Sequence, residues 1–273
     1  MLAKNARFDW YQSTVSASDP QESGLVDHLL KAWPMSDYTP GKNLNGYTRG
    51  AYIRRGDRIL CHLCWGGQPG INCKTTSDES PVLAEALRTF GRPHSPTRVD
   101  SCVDWIEPGL FDSLAGMLID YAQGKRLAIN QQGDWVRGEG RTLYIGSKDS
   151  PVRLVLYEKG YELGGDAPRD LVRLEARIRP KSAHRPMVAT WDASMVFCAQ
   201  WLPDALQALG WEDLHKRASV GTVWRKSDEE RARAALMRQY GAVLARWAED
   251  SGGWDSFGTV LRDTCKQSAQ VTA

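Results

Sequence analysis

No apolar run in this chain approaches the roughly 20 residues that a membrane-spanning helix needs, so a helical membrane protein is excluded. The opening Met1-Leu2-Ala3-Lys4-Asn5-Ala6-Arg7 also lacks the apolar core of a signal peptide, and a cytoplasmic location without membrane contact is expected. Charge of one sign is in short supply. Thirty-five Lys and Arg face 33 Asp and Glu, a net charge of +2, too little to announce a nucleic-acid partner. A basic face can still hide inside such a total, because a phosphate backbone responds to local charge. Cysteines number six and are expected to be reduced thiols in that compartment. They form one CxxC, Cys61-His62-Leu63-Cys64, with Cys73 nearby. The second CxxC or closely spaced His pair that would complete a zinc site is missing, so this stretch reads as a strand. Internal repeats and low-complexity linkers are absent too.

What is present is an ordinary globular composition, 42% hydrophobic and 25% charged over 273 residues, enough for one large domain or two small ones. "RFDWYQSTV" (Arg7 to Val15) is aromatic and β-branched, and predicts a first strand. "SGLVDHLLKAWP" predicts a helix with Ser23 as its cap and Pro34 as its stop. "YTRGAYIRRGDRILCHLCWGGQPGINCKTTS" reads as three strands joined by Gly-rich turns, and "SPVLAEALRTFG" as a helix. In "TRVDSCVDWIEP", Val99, Val103 and Trp105 share one face of a strand, and Asp100, Cys102 and Asp104 the other. A helix over "GLFDSLAGMLIDYAQG" follows, then strands in "RLAINQQGDWVRGEGRTLYIGS", "VRLVLYEKG" and "DLVRLEARIRP". "DEERARAALMRQYGAVLARWAED" predicts one long amphipathic helix with an acidic first turn. The fold expected is α+β: an antiparallel sheet carrying the active site, with helices on one face and a helical C-terminal segment. The expected division is a catalytic domain over 1–190 and a helical segment over 191–273.

Candidate chemistry lies in three strand-like segments that place carboxylates among apolar neighbours: Asp100 and Asp104, then Glu158, then Glu175. Such groups need a partner or a cation. Arg98, Arg153, Arg173 and Arg177 on the same segments allow plain ion pairs as readily as a metal site. Tyr157 ends the apolar run "LVLYEK". A phenol titrates near 10, so a nucleophilic tyrosine needs nearby positive charge or a base. Arg153 and Lys159 share its face of an ideal strand, while Glu158 points the other way unless the strand bulges or ends.

The order "RVDSCVDW", "RTLYIGSKDSPVRLVLYEKGYE", "LVRLEARIR" resembles the replication initiation factor family (Rep_trans), the rolling-circle initiators of certain plasmids and filamentous phages. The likeness spans about Arg7 to Arg179 and is most specific from Thr142 to Arg179. It implies a metal-dependent endonuclease that nicks and rejoins one strand at a replication origin. It makes Tyr157 the nucleophile, linked to the 5′ phosphate while a 3′ hydroxyl is freed as primer. It implies Mg²⁺ or Mn²⁺ on Glu158, Glu175 and one or both of Asp100 and Asp104. Arg153, Lys159 and Arg173 would contact the phosphate or stabilise the transition state. The His-hydrophobe-His metal motif of other initiator families is absent: His62 is followed by Leu63-Cys64, and His94 and His184 stand alone. That fits the carboxylate-metal branch. Tyr161 is the competing nucleophile, and Tyr144 is expected to pack.

Origin DNA is the implied partner, with a bacterial host's helicase and polymerase; monomer and dimer both stay open. "RLEARIRPKSAHR" offers Arg173, Arg177, Arg179 and Lys181 to phosphates, or is simply a solvated strand end. Lys216, Arg217, Arg225, Lys226 and the arginines of the long helix are further candidates for gripping duplex. Exposed members of the eleven tryptophans would stack on unpaired bases. Two other readings remain: a metal-dependent nuclease using water, and a non-catalytic DNA-binding regulator.

Overall fold

The computed structural model describes residues 6–211, 220 and 228–271. The fold is α+β. Ten strands form one sheet: β1 (Arg7–Val15), β2 (Asp37–Pro40), β3 (Arg49–Arg55), β4 (Arg58–Trp65), β5 (Ile71–Thr76), β6 (His94–Ile106), β7 (Ile129–Asp134), β8 (Glu139–Ile145), β9 (Val152–Glu158) and β10 (Leu171–Ile178). Their order is β2-β3-β4-β5-β1-β6-β10-β9-β8-β7, and every recorded pairing is antiparallel. The helices named here are α1 (Leu25–Ala32), α2 (Ser80–Thr89), α3 (Leu110–Gly124), α4 (Lys159–Leu163), α5 (Arg185–Val188), α6 (Leu202–Ala208), α7 (Asp228–Asp250) and α8 (Trp254–Val271). None is long and apolar enough to cross a membrane.

One topology occurs twice. A strand, a helix and four antiparallel strands follow one another, and the last strand pairs back with the first. β1-α1-β2-β3-β4-β5 is one copy and β6-α3-β7-β8-β9-β10 the other, and they join where β1 pairs with β6. The amino-acid sequence carries no matching repeat. Connectivity repeats while the side chains differ: β9 and β10 bring Tyr157, Arg173, Glu175 and Arg177, where β4 and β5 bring His62, Cys64, Asn72 and Lys74.

Alternation along each strand separates the two faces. One face is apolar. Phe8, Tyr11 and Val15 of β1, Val99 and Val103 of β6, Leu154 and Leu156 of β9 and Leu174 and Ala176 of β10 are buried. They share a core with Leu25 and Leu29 of α1, Leu83 and Leu87 of α2, and Phe111, Leu114 and Leu118 of α3. Burying each such side chain contributes about 1.5–3 kcal/mol. The other face carries Trp10, Asp100, Arg173, Glu175, Arg177 and Tyr157, and this polar face holds the candidate site. β6 begins earlier than the sequence pattern suggests, at His94, and bulges in its pairing to β1 between Gln12 and Ser13. Ser23 does not cap α1: that position belongs to Gly24, in the left-handed conformation at φ 76°, where a side chain would be strained. Cys61 and Cys64 lie on β4, three residues apart and so on opposite faces.

The chain forms two compact units, 1–223 and 224–273. Residues beyond 190 belong to the sheet's own core: Trp191, Val196, Phe197, Leu202 and Leu206 are buried in it. The C-terminal unit is helical, as expected. Within it Phe257 of α8 is buried and meets Trp247 of α7 edge-on at 5.2 Å between ring centres.

Candidate active site

Tyr157 stands near the end of β9 and is 8% exposed. It faces a cavity of about 310 Å³ whose walls include Asp9, Trp10, Asp100, Glu162, Glu175 and Lys159. Four neighbouring strands build this cavity through their register. Tyr157 pairs with Arg173, Val155 with Glu175, Arg177 with Asp100, and Asp100 with Trp10. Residues as far apart in sequence as Trp10 and Arg177 thereby meet on one surface.

The turn after Tyr157 is tight. β9 stops at Glu158 and α4 begins at Lys159. A Cβ on Gly160 would lie 1.9 Å from the Pro168 carbonyl oxygen, so only glycine fits. The turn folds Lys159 back over Tyr157, with Nζ 5.6 Å from the ring centre and donating to Glu162 at 2.9 Å.

The ionic arrangement is dense. Arg98 donates from Nε to both oxygens of Asp100, at 3.1 and 3.0 Å, and from Nη2 to one of them. Arg177 donates to Glu175 at 2.8 and 3.2 Å and sits 3.9 Å from Asp100. Arg173 grips Asp104 at 2.6 and 2.8 Å and Asp9 at 2.8 Å. Burial, joined by repulsion from Glu175, raises Asp100 to about 7 against the pull of Arg98 and Arg177. Burial and Glu175 also raise Asp9, against Arg173. Tyr157 moves the same way: burial and the charges of Glu175, Glu162 and Asp9 push the phenol far above its ordinary value, opposed by Arg173. It rests as a protonated phenol.

Several of the expected residues lie away from Tyr157. Glu158 is separated from Tyr157. No bulge interrupts the β9–β10 register, so alternation turns it to the other face. There it accepts from the Arg141 backbone N–H at 2.7 Å and from the Arg141 guanidinium at 2.9 Å, and Arg141 also holds Asp112 at 2.6 Å. Asp104 shares the site's face but is held by Arg173 and by Arg7 at 2.7 Å, and does not line the cavity. Burial alone would raise its pKa, but those hydrogen bonds bring it below the usual carboxylate value. Asp100 is the cavity-facing member of the pair. Arg173, 5% exposed, is the hub of these ion pairs. Arg177 lines the cavity; Arg179 and Lys181 are exposed beyond it.

Arg153 is displaced from Tyr157: its guanidinium lies over the Tyr144 ring at 4.0 Å. Burial lowers its pKa, with repulsion from Arg177 and Arg179 adding to that and Tyr144 opposing it. Tyr161 is not among the residues lining the cavity and stacks under Arg169 at 4.6 Å. Asp9 and Trp10 were not foreseen. An acid inside "RFDWYQSTV" was the available signal, but nothing local places β1 beside β6. Lys216, Arg217, Arg225 and Lys226 lie outside the described residues.

Asp9, Asp100 and Glu175 present hard carboxylate oxygens to one cavity, the donor type that Mg²⁺ and Mn²⁺ prefer. Their mutual repulsion is what a cation would relieve. Arginines occupy those oxygens in this arrangement, and among the described residues no three acids, histidines or cysteines gather closely enough to hold a metal. The donor chemistry fits such an ion once Arg98, Arg177 and, at Asp9, Arg173 give way.

Residues 98–198 match the model of the replication initiation factor family, Rep_trans. The matched stretch contains Asp100, Tyr157, Glu175 and Arg177, and the resemblance carried by the sequence motifs falls on the same residues. No curated protein matches the chain. Among solved structures, the chain is similar to the rolling circle replication initiator protein from Geobacillus stearothermophilus. Identity is 19%, the TM-score is 0.49, and the match covers 68% of this chain and 77% of that one.

Proposed function

We propose that this chain is a rolling-circle replication initiator that nicks and rejoins one DNA strand at an origin, with Tyr157 as nucleophile. The observation that carries the reading is Tyr157 in a cavity walled by carboxylates and cations, inside the stretch that matches the replication initiation factor family. In the reaction the phenol oxygen bonds to phosphorus, the bond from phosphorus to the 3′ oxygen breaks, and the strand leaves with a free 3′ hydroxyl. The phenolic proton passes to Glu162, the cavity carboxylate not engaged in holding a metal ion, and solvent protonates the departing 3′ oxygen. The phosphotyrosine ester conserves the bond for rejoining.

Asp100, Glu175 and Asp9, which line the Tyr157 cavity, would hold the Mg²⁺ or Mn²⁺, and Glu158 and Asp104, which do not line it, would not. A bound cation supplies charge neutralisation on the phosphate in flight. Lys159, over the Tyr157 ring, and Arg177 and Arg98, released from their carboxylates, would face the phosphate oxygens. Arg153, with Arg179 and Lys181 exposed just past the end of β10, would take the flanking backbone. Origin DNA is the partner, the freed 3′ hydroxyl primes a host polymerase, a host helicase opens the duplex, and the setting is a bacterial cytoplasm.

One observation favours a second reading, a metal-dependent nuclease using water: the raised pKa of Tyr157 makes it a poor nucleophile unaided. A denaturing gel separates the two. Protein, Mn²⁺ and a single-stranded oligonucleotide spanning the replicon's own origin are mixed, with wild type beside Tyr157→Phe. A DNA-shifted protein band in wild type alone is expected. Cleavage without a shifted band in either would replace the tyrosine with water, and a shifted band surviving the substitution would move the nucleophile elsewhere.

A further inference from the structure

A second cavity, of about 720 Å³, opens on the same face of the sheet, within the size range of specific ligand sites. It is continuous in fold with the first through β1: Trp10 lines the Tyr157 cavity, and Gln12, two residues on and on the same face, lines the second. The chemistry of the two differs. Around Tyr157, carboxylates oppose Lys159, Arg98 and Arg177. Among the described residues, the second cavity has no carboxylate wall and one cation, Arg185. Its polar groups are otherwise neutral, and the amides of Gln12, Asn45, Gln68 and Asn72 stand with Tyr47.

A backbone-binding track draws its affinity mainly from cations, whereas side-chain amides are among the groups that pair with base edges, Asn and Gln with adenine above all. Gln12 Nε2 donates to Asn72 Oδ1 at 3.2 Å. That bond leaves the Gln12 carbonyl oxygen and the Asn72 NH₂ as an acceptor beside a donor, the pattern that complements a base edge. The walls are preorganised. Thr48 donates its backbone N–H to the Gly66 carbonyl at 2.9 Å, tying the two bordering loops together, and Asn43 donates to the Tyr47 carbonyl at 2.8 Å. At Gly70, in the left-handed region at φ 79°, a Cβ would meet Thr14 Cγ2 at 2.5 Å.

We propose that this groove takes unpaired nucleobases of the strand whose phosphate lies in the Tyr157 cavity and reads their edges. Gln12, Asn72 and Gln68 are then sequence-specificity residues, and Arg185 pins one phosphate between them. The inference rests on the reading of Tyr157 given above. Its test works without an identified origin. A single-stranded DNA library with a random core is bound, with EDTA present, by wild type, Gln68→Ala and Asn72→Ala, and the retained sequences are read. Gln68 is exposed in a loop, so its replacement leaves the fold intact if Asn72→Ala does not. Covalent adduct formation is run in parallel with Mn²⁺ on the enriched sequence.

Wild type is expected to enrich a motif, and each variant to lose preference roughly tenfold at one or two positions of it. Variants with the wild-type motif, or a wild type that enriches nothing, would overturn the base-reading groove whatever the adduct assay shows. Variants that flatten the motif when wild type forms no adduct would keep the groove and remove the Tyr157 mechanism.

Discussion

Replacing Glu158 with alanine tests the arrangement most directly, because sequence pattern and tertiary structure assign this residue opposite roles. As a metal ligand, its loss would abolish adduct formation and leave stability nearly unchanged. As a structural partner, its loss strips Arg141 of two hydrogen bonds, from the backbone N–H at 2.7 Å and from the guanidinium at 2.9 Å. Both side chains are shielded, 8% and 11% exposed. Breaking a buried ion pair from one side costs about 3–5 kcal/mol. Arg141 keeps Asp112, a partner on the exposed side, and its stacking over Phe111 at 4.4 Å, so the lower end applies. A loss of about 3 kcal/mol lowers Tm by roughly 6–12 °C for a chain of this size. Thermal and urea unfolding would measure it, with the adduct gel run well below the lowered Tm. Adduct formation at near the wild-type rate is expected there. An unchanged Tm together with lost Mn²⁺-dependent adduct would refute the assignment and return Glu158 to the metal.

Gly160→Ala forces a Cβ to within 1.9 Å of the Pro168 carbonyl oxygen. The turn must open, carrying Lys159 away from Tyr157, so a loss of about 2 kcal/mol or more and slower adduct formation are expected together; calorimetry and the gel read the two effects. His94 is lowered from 6.5 to about 4 by burial and by Arg88, and its Nε2 lies 3.1 Å from the Tyr11 hydroxyl. The native state therefore resists protonation where the unfolded chain accepts it. Its contribution is complete above pH 6.5 and is lost as pH falls toward 4, amounting to roughly 1–2 kcal/mol after discounting for partial exposure. Urea unfolding at a series of pH values should show that slope in wild type and lose it in His94→Gln.

Much of the site was legible along the chain. Period-two alternation in "TRVDSCVDWIEP" placed Asp100 and Asp104 opposite Val99 and Val103, and the strand bears that out. The helices over 80–89, 110–124 and 228–250 followed from apolar spacing and breakers. "LVLYEK" marked Tyr157 and, by the same alternation, already warned that Glu158 faces away. These are local signals, set by backbone geometry within a few residues. The rest depended on which strands become neighbours. Asp9 reaches Arg173, 164 residues away, because β1 pairs with β6 and β6 with β10. The choice between Asp100 and Asp104, the arginine each holds, and the twice-used topology came from that pairing. The sequence by itself determined which residues share a face of each strand, since that needs only the period of the backbone. Tertiary structure alone decided which carboxylates look into one cavity and which are spent on arginines, since strand order joins residues that no local interaction connects.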